Sequence, residues 1–131
     1  MKKPPRSSAK APAISILIEE PRWREDPPAL RLVRRAVRLA LTSPPHLNPL
    51  PQGGRGKSVT LLLSNDAKLR ALNASFRRLD KPTNVLSFPA TAGAPSSLGD
   101  IAMAYGVVKR EARAHRKNFA AHAAHLALHG T

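Results

Sequence analysis

Alternation and helical periodicity divide this chain into short blocks. Ile14 to Ile18 is apolar and β-branched, which predicts a short buried strand ended by Pro21. Asp26 then offers an N-cap, with Pro27 at the first helical position. Leu30, Val33, Val37 and Leu41 recur at helical spacing, widened by Ala36 and Ala40, so a helix is expected to about Leu41. Arg31, Arg34, Arg35 and Arg38 crowd its other side; phosphate contacts and a solvated helix face both account for them. Val59 to Leu63 predicts a second buried strand. Ser64, Asn65 or Asp66 can cap a helix that begins near Ala67 and puts Leu69, Leu72, Asn73 and Phe76 on one face. Asp80-Lys81-Pro82 is turn chemistry and stops that helix near Arg78. Thr83 to Phe88 predicts a third strand, ended by Pro89, in which Val85 alternates with Ser87 and Leu86 with Phe88. After a loop of small residues from Ala90 to Ser97, Leu98 to Tyr105 predicts a fourth strand, with Ile101, Met103 and Tyr105 facing one way. A helix from about Gly106 through Ala114 follows. Arg116-Lys117-Asn118 breaks it, and an Ala- and His-rich helix closes the chain.

Two stretches stand apart from this pattern. Residues 1–12 carry four positive charges, three prolines and no acid, and are expected to be a disordered basic arm. Residues 42–57 hold four prolines and three glycines in sixteen positions, too many breakers for a helix or a central strand. They read as a loop inserted into a single domain spanning 13–131. Gly56-Lys57-Ser58 resembles the end of a phosphate-binding loop. Pro51 stands where that motif needs its first glycine, and no strand precedes it, so no nucleotide cofactor is expected. His46 reads as a loop histidine.

Composition narrows the class. At 131 residues there is room for one domain. There is no cysteine, which excludes disulfides, thiolate metal sites and a cysteine nucleophile, and agrees with a cytoplasmic setting. The net charge of +14, from 22 basic and 8 acidic residues, points to a polyanionic partner, RNA or DNA before an anionic membrane. With one Trp, one Tyr and three Phe there is little to stack bases on, so phosphate contacts should dominate. The apolar run near the start is too short for a signal peptide and ends in Glu19-Glu20; nothing approaches a transmembrane length.

The candidate chemistry lies in the closing helix. His122, His125 and His129 share a helical face, and imidazoles at i and i+4 can reach one metal ion, which makes His125 and His129 a candidate pair. A zinc protease helix would carry Glu directly after its first histidine, and here Leu126 and Gly130 follow instead. Asp and Glu are few and scattered, against a two-metal carboxylate nuclease.

From Leu72-Asn73-Ala74-Ser75-Phe76-Arg77-Arg78-Leu79 through Asp80-Lys81-Pro82-Thr83-Asn84-Val85-Leu86-Ser87-Phe88-Pro89, the chain resembles the YbeY family of bacterial rRNA maturation endoribonucleases. The likeness continues through Leu98-Gly99-Asp100-Ile101-Ala102 and Glu111-Ala112 to the run His122–Gly130. It covers residues 59–130 well and 13–41 in pattern only; residues 42–57 lie outside it. The resemblance implies an α/β (α+β) fold, a small mixed four-stranded sheet flanked by helices, zincin-like, with its C-terminal helix incomplete. It implies a single-strand-specific endoribonuclease acting with one zinc ion on ribosomal RNA, notably at the 3′ end of the small-subunit RNA, and in ribosome quality control. RNA and the small ribosomal subunit are the implied partners, with no membrane.

Residue by residue, the resemblance makes His129 the first of three metal-binding histidines. His129-Gly130 matches the start of the family's metal motif, and the chain ends at Thr131, before the second and third ligands. The expected form is therefore a C-terminally truncated one. His125 is the fallback ligand, while structural roles for His122 and His125 are the competing reading. Arg77 matches an arginine placed near the metal, where its guanidinium would hold the scissile phosphate as a catalytic group; a surface arginine at a helix C-terminus is the alternative. An inactive remnant that binds RNA or the ribosome through its basic surface is the second functional reading.

Overall fold

A computed structural model describes residues 13–41, 58–89 and 97–130. The two stretches read as arm and inserted loop lie outside the described residues. Four strands form one sheet: β1 (Ala13–Ile18), β2 (Ser58–Ser64), β3 (Val85–Pro89) and β4 (Ser97–Ala104). Their order is β1-β2-β4-β3, with β1, β2 and β4 parallel and β3 antiparallel to β4. The helices are α1 (Pro27–Leu41), α2 (Asp66–Arg77), α3 (Tyr105–Ala114) and α4 (Phe119–Gly130). This is the mixed four-stranded α/β architecture expected from the sequence.

Strand alternation sorts the side chains into two apolar layers. Val59, Leu61 and Leu63 of β2 and Ile101 and Met103 of β4 face α1 and α4, where Val33, Val37, Ala123 and Ala127 meet them. Leu62, Ala102 and Leu86 face the other way, against Leu69 and Leu72 of α2. Thus α1 and α4 cover one face and α2 the other. β1 is an edge strand: Ile14, Ile16 and Ile18 turn toward the α1 layer, whereas Leu17 is 54% exposed on the opposite face. It is half buried, not fully buried as its run of apolar residues suggests, because among the described residues no helix packs over the face that carries Leu17.

The helix boundaries follow local chemistry. Asp26 accepts the Ala29 N–H at the start of α1, and Asn65 accepts the Lys68 N–H at the start of α2. Arg78 ends α2 in the left-handed conformation, φ 59°, and its N–H donates to the Ala74 carbonyl. Arg116, φ 55°, makes the turn between α3 and α4. One element has no periodic signal: a 3-10 turn, Pro21–Glu25, that drives Trp23 fully into the α1/α4 layer. There its indole N–H donates to the Ser64 carbonyl at 3.0 Å, and the ring packs against Tyr105 and Phe119, each 5.4 Å between centroids. Tyr105 is the first residue of α3 and not the last of β4.

The start of α3 is capped from another helix. Ala104 offers no side-chain cap, and Asp66 of α2 takes that role by accepting the Val107 N–H at 2.9 Å while pairing with Arg110. Gly106 makes room for it, since a Cβ there would sit 2.5 Å from an Asp66 carboxylate oxygen. Among the described residues no helix is long and apolar enough to cross a membrane.

Candidate functional site

The segment Asp80–Pro89 is pinned at both ends. Buried Asn73 on α2 donates to the Lys81 carbonyl at 3.0 Å and accepts the Leu79 N–H on its own carbonyl, which holds the turn that carries Asp80. Asp80 pairs with Arg70 at 2.8 Å; the hydrogen bond to that guanidinium, then its charge, holds the Asp80 carboxyl below the usual carboxylate range. At the far end of the turn, Asn84 Nδ2 donates to both carboxylate oxygens of Glu111, at 3.1 and 3.3 Å. The same carboxylate accepts from His122 Nε2 at 3.0 Å. Glu111 therefore ties β3, α3 and α4 together at one point.

The three closing histidines divide by cover. His122 is buried under α3, 7% exposed, with Nε2 committed to Glu111 and Nδ1 without a described partner. His125 and His129 are exposed, with ring centroids 4.3 Å apart. Desolvation by its surroundings, then the neighbouring His129, Lys117 and His122, holds the His125 imidazole below its ordinary value, which favours the neutral, electron-donating form. The pair is chemically suited to a metal, but a hydrolytic zinc site takes three protein ligands. Among the described residues no three His, Asp or Glu side chains are placed to hold an ion. The described donor set is thus incomplete.

Arg77 is the last residue of α2 and exposed, with no hydrogen bond or ion pair to a described residue. Its helix packs on the sheet face opposite α4. Phe76 beside it is 66% exposed, although its spacing put it on one face with Leu69, Leu72 and Asn73; its ring meets that of Phe88 edge-on, with centroids 5.1 Å apart. The sequence offered one unused signal for Glu111: it is the only acidic residue after Asp100, in a helix otherwise rich in cations.

The described residues define a small α/β protein with a mixed sheet and an exposed imidazole pair on its last helix. The fold is shared with the solution structure of TM1509 from Thermotoga maritima, at a TM-score of 0.57 and 22% identity over 89% of this chain and 68% of that one. The chain belongs to the YbeY family, whose description, Endoribonuclease YbeY, matches residues 29–131. Endoribonuclease YbeY of Rhodopseudomonas palustris strain BisB5 is 41% identical over 96% of this chain and 67% of its own length. That of strain CGA009 is 42% identical over 91% of this chain and 63% of its own length. The chain spans about two thirds of the length of these curated relatives. By family it is an RNA-cleaving hydrolase.

Proposed function

We propose that this chain is the core of a metal-dependent, single-strand-specific endoribonuclease that matures ribosomal RNA in the cytoplasm, at the 3′ end of the small-subunit RNA, and serves ribosome quality control. The observation that carries this reading is the exposed His125–His129 pair within the family-matched segment. His129 would be the first ligand of a zinc ion and His125 the nearest substitute. Bound zinc would supply charge stabilisation at the phosphate. Arg77, exposed and paired with no described residue, would hold phosphate oxygens of the RNA with its forked guanidinium, from the sheet face opposite α4.

The test pairs metal content with cleavage. Native mass spectrometry should show one equivalent of zinc, and single-stranded RNA should be cut by the wild type but not by Arg77→Ala or His129→Ala. Cutting that survives both substitutions would sink the assignment of these residues.

A second reading is a non-catalytic RNA- or ribosome-binding module, favoured by the incomplete donor set among the described residues. RNA binding that weakens steeply with salt, without any cleavage, would select it.

A further inference from the structure

A dense row of cations lies on α1, far from the histidines in sequence. Arg31, Arg34, Arg35 and Arg38 lie exposed on α1 at spacings that keep them on one face. The row runs about 10 Å along the helix axis. Between it and edge strand β1 is a groove of about 700 Å³, floored by apolar groups that include Ile16 and Ile18, with the four guanidiniums on its wall. Arg34 reaches across to the Ile14 carbonyl at 3.5 Å, so the row follows the sheet edge.

Helix α1 has no acid from Pro27 to Leu41, and Arg31, Arg34 and Arg35 form no ion pair with a described carboxylate. Six of the eight carboxylates, Glu19, Glu20, Asp26, Asp66, Asp80 and Glu111, are hydrogen-bonded to groups outside the groove. Low-dielectric walls beside a row of like charges concentrate its field, so this groove attracts a polyanion more strongly than a flat solvated helix would.

We infer that the α1–β1 groove is a second RNA surface, built from residues other than the histidines, that grips the backbone of single-stranded RNA flanking the cleaved site. Phosphates meet the arginines, and riboses or unstacked bases lie on the apolar floor. Single-stranded RNA fits better than a rigid duplex, because its exposed bases can use that floor. The inference rests on the RNA-cleaving reading above.

The test is a salt titration of the full chain against a fluorescein-labelled single-stranded RNA, read by anisotropy. Replacing all four arginines by Gln keeps helix propensity while removing the charge. With about 0.7 of logarithmic salt slope per phosphate on single strands, the slope should become shallower by about 3 if each arginine meets one phosphate. Arg31→Gln with Arg35→Gln should give about half of that change, and serves if the fourfold variant fails to fold. A control that neutralises the exposed Arg24, Arg113, Arg116 and Lys117 should change the slope much less. An unchanged slope in the groove variants, or an equal change in the control, overturns the inference. So does a groove variant that loses binding to anionic phosphatidylserine vesicles while keeping its RNA slope. Cleavage with an unaltered slope would overturn the groove alone; a wild type that binds no RNA would take the endoribonuclease reading with it.

Discussion

His122 Nε2 on α4 lies 3.0 Å from Glu111 Oε1 on α3, and the same carboxylate accepts from Asn84, just before β3. One half-buried carboxylate thus fixes the helix that carries the exposed imidazoles against the turn that leads into β3. Glu111→Ala leaves two donors unpaired, one on a buried ring, at about 1–3 kcal/mol for each buried group. Urea unfolding should show a loss of roughly 2 kcal/mol or more, with Glu111→Gln recovering part of it because the amide oxygen still accepts. An alanine variant as stable as the wild type would show that the contact does not hold α4.

The Asp66–Gly106 approach predicts a non-additive pair. Gly106→Ala pushes a methyl into the carboxylate and should cost about 1–3 kcal/mol. Asp66→Ala removes the α3 cap at about 0.5–2 kcal/mol. In the double variant the alanine at position 106 has space, so thermal or urea unfolding should show less than the sum. Strict additivity would contradict the geometry.

Asp80 and Arg70 make a pH-dependent contribution of defined sign. The folded carboxyl titrates below its ordinary value because the guanidinium favours the charged form. The stabilisation is therefore complete above the unfolded carboxylate pKa, about 3.9, and is lost as pH falls through the folded value. The effect on stability is small, since both side chains are exposed. Carboxyl NMR titration should place Asp80 below the ordinary range in the wild type and return it there in Arg70→Gln.

Arg77 should separate stability from activity. It is exposed and pairs with no described residue, so Arg77→Ala should change unfolding free energy by no more than about 0.5 kcal/mol. Loss of a positioned cation at the phosphate should lower the cleavage rate roughly 10²-fold. Arg77→Lys, which keeps charge but not the fork, should fall between. A large stability loss would mean that the side chain supports the fold instead.

The elements that local chemistry specifies were legible in the sequence. Pro27 to Leu41 is the helix its stripe describes, Asn65 is the cap of α2, and Arg116 sits at the break between the last two helices. What escaped depends on partners distant in the chain. Trp23 stands among charged residues with no periodic neighbours, and its place is set by a carbonyl 41 residues away. Glu111 is fixed by Asn84, 27 residues earlier, and His122, 11 later. Asp66 caps a helix 41 residues on. His122, His125 and His129 share a face, but only the first lies beneath α3, so their spacing gave no sign that they would divide.

Trp23 is also the chain's sole tryptophan, and it sits in only one of the two apolar layers. Its emission is therefore a built-in optical reporter of the α1/α4 layer that is blind to the α2 layer. Followed beside far-ultraviolet circular dichroism, it tells whether the two faces of the sheet melt as one cooperative unit or come apart in sequence.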